Sequence, residues 1–329
     1  MIGSFLSAKT GTKSISEKLV EKLKCESINF IIKSKYKNKI LRLVEIFLYT
    51  LFANYDIIHI DTFSGDAFRI SEVASIIARF RKRKIILTLH GGKLPEFYIK
   101  YPGRVKRVLN RADYLLTPSK YLQNFFKVHN IEIQYLPNSL DLLSFPYNRS
   151  FVIPHSLLWV RAFSEIYNPQ LPVLILYEIR KTFPDATLTM VGPDKGLFKK
   201  VKKLIKNLNL EEYVKITGPV KNDELFKFYH THDVFLNTTS YESFGVAVLE
   251  AAACGIPIVS TKVGEIPLLW KNEVNILLAE QIDTSSFVKQ ISRLFTDTEL
   301  SNTLSINGRK NAEQFDWNLL KNNWIKLFS

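Results

Sequence analysis

Cysteine, glycine and proline are all scarce in this 329-residue sequence, and each scarcity excludes a class of protein. Two cysteines, Cys25 and Cys254, cannot build a disulfide framework or a cysteine-rich zinc site, and they suit a reducing compartment. Glycine and proline, with 13 residues each, are too few for a collagen-like or linker-rich chain. The sequence therefore predicts an ordinary globular protein, and its length suggests two domains.

Long apolar runs are also missing. The longest run, residues 40–53, is interrupted by Arg42 and Glu45, and it predicts a buried helix rather than a membrane span. The apolar stretch that follows Met1 is too short for the core of a signal peptide. We therefore expect a cytoplasmic protein.

Positive charge is concentrated in the first half of the chain. Residues 1–143 hold 24 lysine and arginine residues against 12 acidic residues, a net charge of +12, whereas the whole chain carries +14. Such a surface attracts polyanions, which include nucleic acid, anionic lipid headgroups and phosphorylated substrates. A generally basic, soluble surface without a specific partner is an equally open interpretation.

Short apolar runs alternate with longer amphipathic runs along the chain, a pattern typical of α/β folds with parallel sheets. We predict two Rossmann-like, doubly wound domains at residues 1–143 and 144–315, followed by a helix at residues 316–329 that packs back on the first domain. Open parallel sheets bind ligands at the carboxyl ends of their strands, so two facing sheets would form a cleft. The predicted strands are residues 2–6, 28–32, 57–60, 85–89, 114–117, 132–136, 157–160, 187–191, 214–217, 234–237 and 256–260.

Residues 237–257 carry the strongest chemical signal. A strand ends near Asn237, a polar loop follows, and Ser243 is a suitable N-cap for a run of strong helix formers. The backbone amides of Ser243, Phe244 and Gly245 would then lie at a helix N-terminus, which is an anion site. Gly245 would allow a phosphate to approach the backbone closely.

Two glutamates bracket this anion site. Glu250 lies in an otherwise apolar, and therefore buried, helical segment, where an ionised carboxylate needs hydrogen-bond donors. A sugar diol would supply them, and Glu242 could hold a second hydroxyl-bearing group on the far side of the phosphate. The opposing interpretation is that Glu250 pairs with a buried arginine or lysine and that Glu242 is a solvated loop residue.

The segment resembles a known family. The E-x7-E spacing of Glu242 and Glu250, followed by Ala-Cys-Gly-Ile-Pro, is similar to the motif of retaining glycosyltransferases of family 4, the group 1 glycosyltransferases, which have the GT-B fold. Matching segments are spread over most of the chain: Leu-Thr-Met-Val-Gly-Pro at 188–193, Val-Lys-Ile-Thr-Gly at 214–218, Thr-Leu-His-Gly-Gly at 88–92 and Leu-Pro-Asn-Ser-Leu-Asp at 136–141.

The resemblance implies a nucleoside-diphosphate-sugar donor, with a UDP-sugar expected first. It places Glu250 on the ribose, Glu242 on the transferred sugar, and the Phe244 and Gly245 amides on the diphosphate. It makes Arg161 a clamp for the diphosphate. The remaining implied site residues are Ser243, Gly192 and Gly11 for donor binding and His90 for the transferred sugar or the acceptor.

Three features depart from the family pattern, one of which is Glu265 in place of a common glycine after Gly264. The family usually has a lysine six residues after the arginine, whereas this chain has Tyr167. Either Lys195 or another basic group substitutes for that lysine, or stabilisation of the leaving group rests more on Arg161 and the helix. The paired glycines of the first loop are reduced to Thr-Gly-Thr at residues 10–12.

No metal or other cofactor is expected. His230 and His232 form an H-x-H pair without an evident third ligand, and the sequence contains no D-x-D pair for a divalent ion. A histidine that follows a strand, as His90 does, is by itself more often a structural hydrogen-bonding residue.

We therefore predict a metal-independent, retaining glycosyltransferase that acts on a glycan or lipid-linked acceptor in cell-surface polysaccharide or lipopolysaccharide synthesis. The basic half would face an anionic membrane surface, and no nucleic-acid partner is expected because no such motif accompanies the basic runs. The alternatives are another GT-B enzyme, such as a nucleotide-sugar epimerase or a phosphorylase-like enzyme, or a basic module that binds membrane or nucleic acid without catalysis.

Overall fold

The computed structural model describes residues 1–3, 5, 14–33, 36, 38–150 and 152–328. The chain divides into two compact units: Met1–Asn138 together with Leu320–Ser329, and Ser139–Leu319. The sequence pattern places the domain limits a few residues away, after residues 143 and 315. The acceptor and donor roles assigned to the two predicted domains remain predictions.

The first unit is built on a four-stranded parallel sheet with the order β1-β2-β3-β4. Its central strand β2 is apolar over almost its whole length and buried, as expected for a parallel sheet covered on both faces. The strands are β1 (Ile57–Thr62), β2 (Lys84–Leu89), β3 (Tyr114–Thr117) and β4 (Gln134–Tyr135). The helices are α1 (Ile15–Cys25), α2 (Lys39–Phe52), α3 (Phe68–Phe80), α4 (Leu94–Lys100), α5 (Pro102–Leu109) and α6 (Lys120–Val128).

Two predicted strands of the first unit are wrong. Ile2 makes only isolated bridges, to Ile60 and to Lys33, in place of strands at residues 2–6 and 28–32. The Ile2 N–H donates to the carbonyl of His59 at 2.8 Å, and the Asp61 N–H donates to the Ile2 carbonyl at 2.9 Å, so Ile2 pairs with β1 through a single bridge. Residues 4 and 6 of the first predicted strand lie outside the described residues.

The expectation of a buried helix at residues 40–53 is also wrong. The inner side of α2 is buried at Ile46, which is 0% exposed, but Ile40 and Phe52 on its other side are each 74% exposed. The reason is that α2 packs against α3 along one face, and the described chain leaves its opposite face open to solvent. None of the helices in the described ranges is both long and apolar enough to cross a membrane.

The second unit is built on a six-stranded parallel sheet with the order β10-β9-β8-β5-β6-β7. The chain adds β6 and β7 on one side of β5 and then β8, β9 and β10 on the other side. The gap between the carboxyl ends of β5 and β8 is therefore a topological switch point. The strands are β5 (Ser156–Val160), β6 (Thr187–Val191), β7 (Val214–Gly218), β8 (Val234–Asn237), β9 (Ile258–Thr261) and β10 (Leu277–Ala279). The helices are α7 (Leu171–Ile179), α8 (Phe198–Asn207), α9 (Leu225–Thr231), α10 (Val246–Cys254), α11 (Ile266–Leu269), α12 (Thr284–Thr296) and α13 (Thr298–Glu313).

Both units therefore have parallel sheets covered by helices, and the predicted α/β class with two parallel-sheet domains is confirmed. The last helix, α14 (Trp317–Phe328), starts in the second unit, and from Leu320 onward it belongs to the first. Trp324 is 5% exposed, and its ring centroid lies 5.9 Å from that of His59. Phe328 packs edge-on against Phe30 at 5.3 Å.

We expect Trp324→Ala to lower the free energy of unfolding of the first unit by about 3–5 kcal/mol, because it leaves a cavity where a large ring is now buried. The measurement is the urea midpoint followed by circular dichroism. Leu319→Ala, at a position that is 65% exposed on the same helix, serves as the control and should leave the midpoint unchanged. Equal midpoints for both variants would contradict this packing.

Candidate active site

The switch point of the second unit brings two polar side chains together. Arg161 directly follows β5, and Asn237 is the last residue of β8. An Nη2 hydrogen of Arg161 donates to Oδ1 of Asn237 at 3.0 Å. The sheet topology, rather than nearness in sequence, therefore creates this pair.

Arg161 also holds Glu242. Its Nη2 lies 2.5 Å from Oε2 of Glu242, and both side chains are close to nine-tenths buried. The guanidinium lies over the ring of Tyr167 with 5.3 Å to the ring centroid. The Nε–H of Arg161 is shielded from solvent and has no hydrogen-bond acceptor among the described residues. Such a buried donor is costly to leave unpaired, so the site offers one strong hydrogen bond to an anion.

The Glu242 backbone is fixed by the loop that follows β9. The Glu265 N–H donates to the Glu242 carbonyl at 2.9 Å. A Cβ at Gly264 would lie 2.1 Å from the same carbonyl oxygen, so only glycine permits this approach. The loop fixes the backbone of Glu242 and thereby helps to position its carboxylate.

The helix that begins beside Glu242 starts later than expected. Its N-cap is Gly245, with φ +90, and no side chain caps it, so the prediction of Ser243 as the N-cap is wrong. The left-handed conformation of Gly245 turns the chain into α10, a turn that serine could not make without strain. The first amides of a helix have no acceptor within the helix, and the N-cap glycine has no side chain that could accept from them. They form the positive end of the helix dipole.

Three further residues predicted to bind the donor lie in this turn or after β6. The Phe244 side chain is 3% exposed and packs edge-on against Phe315 at 5.6 Å, so only its backbone could meet a ligand. Ser243 is partly exposed. Gly192 lies at the end of β6, where its N–H donates to the Gly218 carbonyl at 2.9 Å.

Glu250 is buried in α10, at 4% exposure, as the sequence predicts. The hydroxyl of Tyr229 on α9 donates to its Oε2 at 3.3 Å. Burial, together with the Glu250 charge, raises the pKa of Tyr229 well above its usual value, so the hydroxyl stays protonated and donates. The opposing interpretation is wrong for Glu242, which pairs with the buried Arg161 and is not a solvated loop residue.

His90 belongs to a second polar cluster, inside the first unit. It follows β2, and its Nε2 lies 3.2 Å from Oδ1 of Asp61, near the end of β1. The ring of Phe63 stacks on His90 at 5.2 Å. The hydroxyl of Ser16 donates to the other oxygen of Asp61. The histidine is therefore oriented by a buried carboxylate, an arrangement that fixes which ring nitrogen carries the proton.

The electrostatics of this cluster keep Asp61 ionised. Burial raises the pKa of Asp61, but the hydrogen bond and charge of His90, the charge of His59 and the Ser16 hydroxyl outweigh it, so the pKa lies below its usual value. Burial lowers the pKa of His59 from 6.5 to about 4, against the opposing attraction of Asp61. His59 is therefore neutral near pH 7, and its Nε2 lies 2.7 Å from the Thr88 hydroxyl oxygen.

Sequence reasoning missed four of these residues: Asp61, Asn237, Tyr167 as a partner of Arg161, and Tyr229. Asp61 was detectable, because it is an isolated acid near the end of an apolar strand. The sequence indicates Asn237 only as the end of a strand, and it gives no signal for Tyr229. Gly11, predicted to bind the donor, lies outside the described residues.

Other features of the described residues do not add to this site. They contain no group of three or more histidine, cysteine, aspartate or glutamate side chains that could hold a metal ion. A cavity of about 850 Å³ lies in the first unit, and its lining includes Met1, Tyr49, Thr50 and Phe328. None of the predicted site residues that the structure describes lines this cavity.

Solved structures with this architecture define the fold as GT-B. Anabaena HepE, in complex with UDP and glucose, superposes with a TM-score of 0.76 at 18% identity, covering 94% of this chain and 88% of that one. Sucrose-phosphate synthase from Thermosynechococcus elongatus gives a TM-score of 0.74 at 18% identity, covering 91% and 80%. At these identities the likeness shows the fold alone.

Residues 154–311 match the family described as glycosyl transferases group 1. The resemblance seen in the sequence is thereby confirmed. N-acetyl-alpha-D-glucosaminyl L-malate synthase from Bacillus anthracis is 29% identical over 252 residues, 70% of this chain. An uncharacterized glycosyltransferase from Methanocaldococcus jannaschii is 26% identical over 234 residues. Each match spans 64% of the relative's own length.

The buried His59 predicts acid sensitivity of the first unit. Between pH 6.5 and about 4 the unfolded chain binds a proton at His59 that the folded chain does not, so stability falls as the pH drops through this window. The loss should approach about 3 kcal/mol, from a pKa difference of two to three units.

The measurement is the urea midpoint between pH 4 and 7, in the native chain and in His59→Gln. The glutamine variant should lose less stability across this range, because it has no proton to gain at this position. Identical pH dependence in both proteins would contradict a buried neutral histidine.

Proposed function

We propose that this protein transfers a sugar from a nucleoside diphosphate sugar, in first place a UDP-sugar, to a hydroxyl group of a glycan or lipid-linked acceptor, with retention at the anomeric carbon. The observation that carries the proposal is the buried assembly of Arg161, Asn237 and Glu242 at the switch point of a parallel sheet, beside the uncapped start of α10. The family match of residues 154–311 supports the same conclusion.

The diphosphate would bind between Arg161 and the start of α10. The Nε–H of Arg161 lacks an acceptor among the described residues, and the first amides of α10 have no side-chain cap. A phosphate oxygen can accept from both, and the helix dipole adds to the attraction. The family usually has a lysine at the position of Tyr167. In this protein the positive end of the helix and the guanidinium together would supply the positive charge of that lysine.

The two glutamates would bind hydroxyl groups on either side of the diphosphate. Arg161 holds Oε2 of Glu242, so Oε1 is the oxygen that would accept from a hydroxyl of the transferred sugar. Glu250 would accept from the ribose, and Tyr229 would keep its carboxylate oriented through Oε2. His90, oriented by Asp61, would contact the transferred sugar or the acceptor.

In the proposed reaction the bond between the anomeric carbon and the diphosphate oxygen breaks, and the acceptor oxygen bonds to the same carbon from the same face. The acceptor proton passes to the departing diphosphate oxygen. Fixed donors at Arg161 and α10 would stabilise the negative charge that develops there, which is the largest contribution we assign to catalysis. No protein nucleophile is assigned, and no divalent ion is needed because the guanidinium and the helix provide the positive charge.

The identity of the donor is supported by the names of similar proteins. HepE was solved with UDP and glucose, and the Bacillus anthracis relative is named for the transfer of N-acetylglucosamine to malate. We further propose that the protein works in the cytoplasm at the inner face of a membrane, in cell-surface glycan synthesis. The support for that location is the net charge of +12 in residues 1–143.

Donor binding can be measured by thermal shift with UDP-, GDP- and ADP-sugars in buffer containing EDTA. We expect UDP-sugars to raise the melting temperature most, because a ligand that binds only the native state stabilises it. The shift should be the same when Mg²⁺ replaces EDTA. A shift seen only with Mg²⁺ would contradict metal independence, and no shift with any nucleotide sugar would contradict the proposed donor site.

Sugar transfer is tested by Arg161→Lys and Glu242→Gln, which keep the size of each side chain. Each should reduce kcat by about 10²-fold or more, because each disturbs a group held against the charge that develops in the transition state. Breaking a buried ion pair also destabilises the protein, so the melting temperature is recorded for each variant.

The matched control is the exposed pair Arg293 and Glu273, which are 2.7 Å apart on the surface of the same unit. Arg293→Lys and Glu273→Gln should leave kcat unchanged. Folded site variants with native kcat would refute the assignment. Epimerised donor without acceptor, or a requirement for inorganic phosphate, would instead favour the alternative GT-B activities.

A further inference from the structure

The outer face of α2 is apolar and open to solvent over its whole length. Its residues follow i, i+4 and i+7 spacing, so they form one continuous stripe along the helix. Ile40 and Phe52, near the two ends, are each 74% exposed, and the others are 44–54% exposed. We call this surface the outer stripe of α2; it consists of Ile40, Leu41, Val44, Phe47, Leu48 and Phe52.

The helix that carries the stripe is held firmly from its other side. Ile46 is fully buried in the core of the first unit, and Thr50 is 3% exposed. The guanidinium of Arg81 donates to the carbonyls of Thr50 and Ala53 at 3.1 and 2.7 Å, so it caps the end of the helix. The stripe therefore faces outward because the inner face of the helix is already packed.

Basic runs flank the stripe in the sequence. Residues 33–42, which run into the first turn of α2, contain five lysine and arginine residues and no acidic residue. Arg81, bound to the far end of α2, belongs to the run Arg-Phe-Arg-Lys-Arg-Lys at residues 79–84. Phe80 within this run is 82% exposed. In the sequence, the apolar residues of α2 are thus flanked by two basic runs.

We propose that the outer stripe of α2 inserts into the interface of an anionic lipid bilayer, with the two basic runs against the headgroups. An exposed apolar helix face with flanking lysine and arginine has the chemistry of an interfacial, non-spanning membrane contact. The positive charge of the basic runs is complementary to anionic lipid. It disfavours the alternative occupant, a second copy of this chain, because the basic halves of the two copies would repel each other.

This inference identifies the surface for the membrane contact proposed above, and it rests on that part of the proposed function. It does not require sugar transfer. Vesicle binding is measured without nucleotide or acceptor, so a failure of membrane binding and a failure of transferase activity are distinguishable.

The experiment is co-sedimentation of the full chain with vesicles of phosphatidylcholine alone and with vesicles of phosphatidylcholine mixed with phosphatidylglycerol, an anionic lipid. The native protein should bind the anionic vesicles and lose most of this binding in high salt. The variant Ile40→Gln, Val44→Gln, Leu48→Gln should bind at least tenfold more weakly. The substitutions lie at exposed positions, so the melting temperature should not change.

The matched control carries the same number of glutamines at other exposed apolar positions: Ile99→Gln, Val128→Gln, Leu143→Gln. It should bind as the native protein does. Insertion is measured separately with the variant Leu48→Trp, whose tryptophan fluorescence should be quenched by lipids brominated on the acyl chain. The control variant Val128→Trp should show no more quenching than the native tryptophans do.

Three outcomes would overturn the proposal. One is native binding by the stripe variant, and another is the absence of binding to anionic vesicles by the native chain. The third is a dimer in solution that the stripe substitutions dissociate, which would identify a second copy as the occupant.

Discussion

The contact on which the proposed site depends is the buried ion pair between Arg161 and Glu242. Two charges at this depth are stable only if each is well partnered. Arg161 meets that condition through Glu242, Asn237 and the face of Tyr167, and its Nε–H still lacks an acceptor among the described residues. A guanidinium held this way is already oriented, so an anion that binds it orders few additional groups.

The order of the strands explains why these residues meet. Arg161 and Glu242 are 81 residues apart in sequence, yet β5 and β8 are neighbours in the sheet. Parallel strands end at the same edge, and the reversal of strand order on either side of β5 leaves space between their ends. The N-cap of α10 is a glycine, which supplies no capping side chain. The proposed chemistry is therefore a product of topology as much as of residue type.

Sequence patterns predicted much of this fold and failed where burial had to be inferred. Five strands of the second unit, β5 to β9, are predicted because each is a short apolar run between polar turns, whereas β10 (Leu277–Ala279) is not predicted. The runs at residues 2–6 and 28–32 look the same, but among their described residues only Ile2 forms bridges, to Ile60 and to Lys33. The run at residues 40–53 predicts a buried helix, since an all-round apolar helix normally needs cover. Only one of its faces is covered, and that mismatch is the basis for the proposed membrane contact.

The sequence by itself determined the α/β class, the family resemblance and the buried position of Glu250, because periodicity and local composition encode them. The tertiary structure alone decided that Glu242 pairs with Arg161, that Gly245 rather than Ser243 caps α10, and that Asp61 orients His90. Those contacts join residues from different strands or depend on a backbone angle. Their distances depend on the order of the strands within each sheet, and the local sequence does not encode that order.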